Sequence, residues 1–334
     1  TGKMAAALRR LGFSKVFDTD FAADLTIMEE ATELVGRMQN GGVLPMITSC
    51  SPGWVNYCET FHPEFLPNLS RCKSPHEMMG ALVKTYYADK VGVPAQDIRV
   101  VSVMPCTAKK YEADRPELAG SGYPDVDAVI TTRELARMIK SAGIDFVNLP
   151  DEPFDRLLGD STGAAVIFGA TGGVMEAALR TAYEVLTGET LGNLDFHGVR
   201  GVKGIKEATV QIGDLALNVA VANGTANAGE LLDAIKRGEK SYHFIEIMGC
   251  PGGCVTGGGQ PIVPAQDRMA RDPRMVRAQA LYQADANMPV RKSHENPEIK
   301  QIYRDFLEKP NSHKSHELLH THYIARQLYH EGAR

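Results

Sequence analysis

The sequence lacks the features that mark membrane-spanning, exported and nucleic-acid-binding proteins. Its longest apolar runs are only as long as a β-strand, which argues against a transmembrane helix. The first residues lack the apolar stretch of a signal peptide. The formal net charge is −5, and no basic block is interleaved with aromatic residues, so the signature of nucleic-acid binding is absent. We therefore expect a globular protein that does not bind nucleic acid and does not span a membrane.

Cysteine is also scarce, with six residues in a chain of 334. Cysteines spread so thinly do not form a disulfide framework, and they favour a reducing compartment with metal or redox chemistry. We expect a cytoplasmic protein, with periplasmic export as a subunit as the alternative. The chain begins at Thr1 rather than Met and continues directly into helix-like sequence, so we expect that further sequence precedes it.

The length and the hydrophobic pattern together predict the fold class. A chain of 334 residues can form one large domain or two lobes. Strand-like apolar runs alternate with segments of helical periodicity, and this alternation predicts an α/β fold with mostly parallel sheets flanked by helices. The strand-like runs lie at 44–48, 98–104, 127–130, 164–169, 208–213, 217–222 and 243–248.

Helical patterns and the tail complete this outline. Residues 25–39 carry apolar positions at helical spacing, and Ser74 with Glu77 match a capping box at the start of a second helix. Beyond about residue 262 the strand signal disappears, and the polar stretch predicts helices with extended pieces. A tail without a core of its own is expected to wrap around the main body. Proline breaks fall at Pro273, Pro289, Pro297 and Pro310.

Four of the six cysteines lie in three turn-rich segments. These are TSCSPGW (48–54) with Cys50, MPCTAKKYE (104–112) with Cys106, and EIMGCPGGCVTGGGQP (246–261) with Cys250 and Cys254. Ligands of α/β folds gather at the carboxyl ends of strands, so thiols on these turns predict a soft metal centre. The spacing of four between Cys250 and Cys254 favours an iron–sulfur or other metal site. A zinc knuckle, which usually has two residues between its cysteines, and ordinary buried thiols are the alternatives.

The three segments resemble the signature motifs of the iron-only (FeFe) hydrogenases, in order and at comparable separations. The resemblance implies an H-cluster catalytic domain over 1–262, with the cluster between two lobes formed roughly by 1–50 with 190–262 and by 51–189. Residues 263–334 resemble the small-subunit segment that wraps this domain. The likeness extends through FGATGGVMEAALRTAYE (168–184), TIMEEATELVGR (26–37), RKSHENP (291–297) and HELLHTHY (316–323).

In that family a 4Fe-4S cubane is joined through one cysteine to a two-iron unit that carries CO, CN⁻ and a bridging amine dithiolate. The resemblance implies that Cys106, Cys250 and Cys254 bind the cubane and that Cys254 bridges to the two-iron unit. Lys109 would donate a hydrogen bond to a cyanide. Without the resemblance, Lys109 is interpreted as a solvated lysine and the methionines as core residues. The implied lining of the cofactor pocket is Met104, Pro105, Phe168, Met248 and Gly253.

The chain departs from the family pattern at Ser51, because the family has two adjacent cysteines where this chain has Cys50 and Ser51. The first of that pair is the terminal proton donor and the second is the fourth cubane ligand. Three outcomes are open: Ser51 binds iron through oxygen, Cys50 replaces it as the ligand, or the cubane is incomplete. Ser51 and Pro52 also match the N-cap and first residue of a helix, which is compatible with a ligand role.

A proton path is the second implication. Glu30, Glu33 and Arg37 share one helix face, which alone predicts a solvated face with a Glu33–Arg37 ion pair. The resemblance implies instead that Cys50, Glu30, Ser70 and Glu33 pass protons between the pocket and the surface. Cleaving hydrogen releases a proton inside the protein, and only titratable or hydroxyl groups within hydrogen-bond reach can export it.

The remaining signals are weak. Cys58 and Cys72 are interpreted as buried small hydrophobes, too few for another cubane. Gly169 to Gly173 do not match a dinucleotide-binding fingerprint. A cluster of four histidines predicts a polar helix face rather than a metal site: His313, His316, His320 and His322.

The predicted function is reversible oxidation of hydrogen and reduction of protons by an anaerobic hydrogenase. Electrons would come from a ferredoxin, from an iron–sulfur or flavin subunit, or from an upstream cluster domain, and hydrogenase maturation proteins would install the cofactor. A non-catalytic iron–sulfur assembly protein and a hydrogen or redox sensor of the same fold are the alternatives.

Overall fold

The β-strands of the computed structural model, which describes residues 1–213 and 215–327, form two separate sheets. The first has the strand order β1-β6-β5-β4, and the second pairs β2 with β3. The strands are β1 (Met46–Ile47), β2 (Val101–Met104), β3 (Ala128–Thr131), β4 (Ile205–Ile212), β5 (Leu215–Asn223) and β6 (Phe244–Met248).

Most strand pairs are parallel. Strand β6 pairs in parallel with β1 and β5, and β2 pairs in parallel with β3, whereas β4 runs antiparallel to β5 at the edge of the larger sheet. All five residues of β6 are buried, as expected for a strand covered on both faces. The α/β class with mostly parallel sheets is therefore confirmed.

Helices flank both sheets. Those of the main body are α1 (Gly2–Arg10), α2 (Thr19–Gln39), α3 (Pro52–Phe61), α4 (Pro75–Leu82), α5 (Ala88–Val91), α6 (Ala108–Ala113), α7 (Thr132–Ser141), α8 (Gly163–Val166), α9 (Gly173–Thr187) and α10 (Thr225–Lys236). Those of the tail are α11 (Ala265–Ala270), α12 (Pro273–Asn287), α13 (Pro297–Ile302) and α14 (His313–Leu319). Within the described ranges, no helix combines the length and the hydrophobicity needed to cross a bilayer.

The tail shares its core with the main body. Ile299, Leu307 and Leu319 belong to the same buried cluster as Phe21 and Leu25 of α2. A buried ion pair adds a polar attachment, because the Arg180 guanidinium of α9 donates to both carboxylate oxygens of Asp285 on α12, at 2.9 and 2.8 Å. The tail is helical as predicted, and its division from the body near residue 262 stays a prediction.

One predicted strand is wrong. Residues 164–169 lie in α8 and in a following 3-10 turn, so Gly169 to Gly173 follow a helix and not a strand. A short apolar run has the same composition in a buried helix as in a buried strand. Asp24, which is far away in sequence, holds the start of this segment in place. Its carboxylate accepts hydrogen bonds from the backbone N–H and the hydroxyl of Thr162 at 2.8 and 2.7 Å.

The predicted capping box is also wrong. Ser74 occupies the N-cap position of α4, but its hydroxyl makes no capping hydrogen bond. The Glu77 carboxyl has no hydrogen-bond partner among the described residues. A capping box does form at α7, where Thr131 Oγ1 accepts from Glu134 N at 3.2 Å and Glu134 Oε2 accepts from Thr131 N at 2.7 Å.

Candidate metal centre

The Cys250–Cys254 turn begins where β6 ends, at Met248. Gly252 and Gly253 have φ angles of +91° and +94°, which L side chains rarely adopt. A Cβ on Gly253 would lie 2.7 Å from Thr171 N, so only glycine allows this approach to the loop before α9. The two glycines thereby fix the separation of the two cysteines.

The Cys106 loop packs against the glycines that follow this turn. Gly259 N donates to Pro105 O at 2.8 Å, and a Cβ on Gly257 would lie only 2.2 Å from the same oxygen. Cys106 directly follows Pro105 beyond the end of β2. The carboxyl ends of strands from the two sheets therefore place Cys106 beside Cys254.

The electrostatic coupling of the thiols reflects this proximity. Burial raises the pKa of the Cys254 thiol to about 12; Cys106 and Cys250 add to the shift, and Lys109 opposes it. Burial and Cys106 also raise the pKa of Cys250. All six cysteines are free thiols. A thiolate at this depth requires nearby positive charge, which a metal cluster would supply.

The spacing of the thiols is wider than that of a preformed site for a single tetrahedral ion. Several groups of three His, Cys, Asp or Glu side chains in the described part of the chain have all their ligand atoms within 4.8 Å of one another. Cys106, Cys250 and Cys254 do not form such a group. At least one pair of their sulfur atoms is therefore farther apart, whereas zinc–sulfur bonds of about 2.3 Å would place tetrahedral thiolates about 3.8 Å apart. The wider spacing fits a multi-iron cluster, in which each thiolate binds a different iron atom.

Ser51 lies at the same turn. It occupies the N-cap position of α3, with Pro52 as the first helical residue, as the sequence predicted. Its hydroxyl makes no capping hydrogen bond, because Ser51 Oγ accepts instead from Gly249 N at 3.0 Å. Gly249 directly precedes Cys250, so the serine oxygen is held against the backbone that leads into the Cys250–Cys254 turn.

Lys109 is buried, with only 8% of its surface exposed, which makes its interpretation as a solvated lysine wrong. Its ammonium donates to the Cys50 carbonyl at 3.0 Å and to Glu112 Oε2 at 2.7 Å. Burial lowers the pKa of Lys109, but Glu112 outweighs this effect and the net pKa is raised. Lys109 therefore stays charged inside the protein, next to Cys50.

The other side chains assigned to the proton path, Glu30, Ser70 and Glu33, lie close to one another. Glu30 is 2% exposed, so the solvated-face interpretation is wrong for it; burial first, and then Glu33, raise its pKa to about 8, and Ser70 partly offsets the shift. Ser70 Oγ donates to Glu33 Oε2 at 3.0 Å, and Arg37 donates to Glu33 Oε1 at 2.6 Å. The predicted Glu33–Arg37 ion pair is confirmed.

Cys50, the first group of the proton path that the sequence implies, is half-buried. Burial raises the pKa of its thiol well above the usual value, and the Glu30 charge adds to the shift. Cys50 and Phe168 pack against the apolar cluster that contains Met248. Met104 and Met248 are the last residues of β2 and β6, so both methionines lie at the carboxyl ends where the cysteines gather.

The structure also contains groups that the sequence analysis missed. His320 is buried and pairs through Nε2 with Glu29 at 2.9 Å, whereas His313 and His316 are exposed as expected for a polar helix face. Glu112 lies three residues after Lys109, a spacing that could have revealed the ion pair. His76, which contacts Glu112, gave no sequence signal. Cys58 and Cys72 are buried, as predicted.

The chain is similar to two known protein families. The family "Iron only hydrogenase large subunit, C-terminal domain" matches residues 1–258, and "Iron hydrogenase small subunit" matches 271–326. The NADP-reducing hydrogenase subunit HndD of Solidesulfovibrio fructosivorans is 57% identical over 333 residues, which are 98% of this chain and 56% of that protein. The chain thus spans about half the length of this relative.

A solved structure and a more distant relative complete the comparison. Apo [FeFe]-hydrogenase HydA1 from Chlamydomonas reinhardtii, variant C377H, superposes with a TM-score of 0.84 at 43% identity, covering 97% of this chain and 88% of that one. The cytosolic Fe-S cluster assembly factor narfl of Xenopus tropicalis is 34% identical over 341 residues, 99% of this chain and 70% of that protein. The hydrogenases are the more similar of these proteins.

Proposed function

We propose that this chain, which belongs to the iron-only hydrogenase family, is the catalytic part of a hydrogenase that interconverts H₂ with two protons and two electrons. The observation that carries the proposal is the convergence of Cys106 with Cys250 and Cys254 at the carboxyl ends of β2 and β6. Their spacing suits a cubane better than a single ion. When bound, the cubane and a two-iron unit with CO, CN⁻ and an amine dithiolate would supply the electron storage and the hydrogen chemistry.

Four side chains would hold the cubane in this proposal. Cys106, Cys250 and Cys254 would supply thiolates, and Cys254 would also help to hold the two-iron unit. Ser51 supplies the fourth ligand through oxygen. What supports this choice is the position of its hydroxyl, which is free of the helix cap and held at Gly249 N, directly before Cys250.

Cys50 keeps a separate role as the proton relay. Its side chain packs beside the cluster around Met248, and its carbonyl is fixed by Lys109. Because side chains of adjacent residues seldom point the same way, Cys50 and Ser51 serve different partners. Lys109 would hold an anionic ligand of the two-iron unit with its remaining N–H.

The proton leaves through residues of this chain. At neutral pH Glu30 is protonated, since its pKa is about 8, and it can therefore pass a proton on and accept another from Cys50. Ser70 then connects Glu30 with Glu33, which ends the path beside Arg37. Water is kept out by an apolar lining formed by Met104, Pro105, Phe168, Met248 and Gly253.

Electrons would arrive from a partner. Cys58 and Cys72 are the only other cysteines of the sequence, and two thiols cannot hold a second cubane. A ferredoxin, an iron–sulfur or flavin subunit, or a cluster domain on the same polypeptide would fill this role. Maturation proteins would install the two-iron unit, and a reducing cytoplasm would suit the free thiols.

Infrared spectroscopy tests the proposal. After co-expression with hydrogenase maturation proteins, CO and CN⁻ stretching bands should appear, and a Cys254→Ala variant should lose them. Protein that shows cubane absorption alone would belong with the assembly factors. Bands without rapid hydrogen evolution from a reduced viologen would indicate a sensor.

A further inference from the structure

A continuous buried network of hydrogen bonds begins at Lys109. Lys109 Nζ donates to Glu112 Oε2 at 2.7 Å, and the same oxygen lies 2.7 Å from His76 Nε2. The other ring nitrogen, His76 Nδ1, lies 3.1 Å from Ser102 Oγ. All four side chains are buried. Three of them, Ser102, His76 and Glu112, have no part in the proposed ligation or proton transfer.

The chemistry of the network determines where its protons lie. Although burial opposes ionisation, Lys109 and His76 lower the pKa of Glu112 to about 2, so it is a carboxylate that only accepts hydrogen bonds. His76 Nε2 must therefore carry a hydrogen to meet it. Burial and Lys109 lower the pKa of His76, so its Nδ1 is unprotonated and accepts from the Ser102 hydroxyl. The protonation state of Glu112 thus determines which nitrogen of His76 carries a hydrogen, and this in turn determines that the Ser102 hydroxyl donates to His76.

We infer that His76 is a positioning residue, which holds the Glu112 carboxylate and through it aims the Lys109 ammonium into the cofactor pocket. The inference rests on the proposed function, because Lys109 matters only if an anionic group occupies that pocket. Two of the three ammonium hydrogens are committed, to Glu112 and to the Cys50 carbonyl, so the direction of the third is fixed by these acceptors.

A fixed direction of the third Lys109 N–H makes the ammonium a better hydrogen-bond donor to a group in the pocket. A free lysine has four rotatable bonds and a compact charge that can point to any acceptor in reach. A preorganised donor needs no reorganisation when charge develops in the pocket, and this is what makes such donors effective. Removing the outer partner of a ligating or polarising group typically costs 10- to 100-fold in activity.

The neighbouring Glu77 provides a matched control. Its Oε1 lies 3.2 Å from His76 Nε2, yet both carboxyl oxygens have no hydrogen-bond partner among the described residues. Burial and the nearby Glu112 charge raise its pKa to about 9, so Glu77 is a neutral acid. Glu77→Gln therefore replaces one neutral group by another of nearly the same shape, beside the same histidine, without removing a hydrogen bond of the network.

The experiment compares His76→Leu, His76→Gln and Glu77→Gln in protein matured to show CO and CN⁻ bands. His76→Leu removes the donor to Glu112, so we expect the cyanide bands to shift or broaden and turnover to fall about 10- to 100-fold. His76→Gln can place an amide N–H near the position of Nε2, and it should restore both readouts. Glu77→Gln should match the parent protein in both.

Two further measurements separate the possible failures. Paramagnetic resonance of the reduced cubane and the unfolding temperature show whether each variant is folded and carries its cluster. If folded His76→Leu protein keeps the parent cyanide bands and turnover, the positioning role is refuted. If glutamine fails to restore what leucine removes, the hydrogen bond to Glu112 is not the cause and the inference also fails. Absence of CO and CN⁻ bands in the parent protein would instead overturn the proposed function.

Discussion

Replacing Glu30 by glutamine should stabilise the protein while stopping its proton transfer. Glu30 lies in the middle of α2, is almost completely buried, and has its pKa raised from 4.5 to about 8, mainly by burial. Between these two values the folded protein holds a proton that the unfolded chain has released. Its stability therefore falls as the pH rises from about 4.5 to about 8.

The size of this effect follows from the pKa shift. At pH 7 the unfolded carboxyl is ionised while the folded one is still largely protonated. Each pH unit above 4.5 therefore costs about 1.4 kcal/mol, for a total of about 3 kcal/mol at pH 7. Glutamine has nearly the same shape and no such cost, so Glu30→Gln should raise the free energy of unfolding by that amount at pH 7. The gain should disappear near pH 4.5.

Turnover should change in the opposite direction. Glutamine cannot release and regain a proton in the way a carboxylic acid does, and the loss of a general acid typically costs 10²- to 10⁴-fold. The cubane spectrum should be unchanged. The assays are denaturant unfolding at pH 5 and pH 7, and hydrogen evolution from a reduced viologen. Unchanged turnover would remove Glu30 from the proton path, and unchanged stability at pH 7 would refute the buried neutral acid.

A neighbouring carboxylate is the control for this experiment. Glu29 is also completely buried, but it faces the tail, where it accepts from Tyr303, His320 and the Asn311 backbone. Glu29→Gln should weaken these hydrogen bonds and lower the free energy of unfolding, with turnover retained. The two variants should therefore change the free energy of unfolding in opposite directions, and only Glu30→Gln should lose turnover.

Three further predictions concern the cubane and the tail. Ser51→Cys should raise the iron content and change the paramagnetic-resonance spectrum of the reduced cubane, because sulfur is the better iron ligand; identical spectra would show that residue 51 does not bind the cluster. Gly257→Ala should lower cluster incorporation, measured as iron per protein, because its Cβ would lie 2.2 Å from Pro105 O. The control is Gly36→Ala on α2, whose Cβ would meet nothing within 4 Å and which should retain full incorporation. Arg180→Met should lower the free energy of unfolding by about 1.5–3 kcal/mol, since the buried carboxylate of Asp285 loses one of its two arginine partners and keeps only Arg291, and a loss below 1 kcal/mol in denaturant unfolding would contradict the attachment.

The sequence predicted the elements whose local pattern is decisive. The run at 243–248 is apolar and bounded by turn residues, and it became the central strand β6. The run at 164–169 has similar composition but became helix α8, because its surroundings and not its own pattern decided between the two. Ser74 and Glu77 had the spacing of a capping box, yet tertiary packing buried both side chains away from it.

The residues of the site could be predicted only where they lie within a recognisable sequence motif. The thiols and Lys109 lie in long motifs that can be recognised in the sequence. The contact of Glu112 with His76, which completes the surroundings of Lys109, became visible only in the folded structure. Glu246 shows the same limit, since this buried strand residue accepts from the backbone N–H groups of Gly172 and Met175 at 2.6 and 2.8 Å, at the start of α9. Its role is to hold the loop that approaches Gly253, and no pairwise spacing in the sequence indicates this contact.

Cys50 joins two carboxylates that their surroundings drive to opposite protonation states. On one side Glu30 has no cation in contact, and burial raises its pKa to about 8, so it carries a proton at neutral pH. On the other side Glu112 is just as buried, but Lys109 and His76 bring its pKa down to about 2, so it stays charged. Exchanging the environments of the two groups would therefore exchange their protonation states at neutral pH. The buried cation beside Glu112 is what separates a charged carboxylate from a neutral carboxylic acid in this site, and the proposed division between a fixed counter-ion and a proton carrier depends on it.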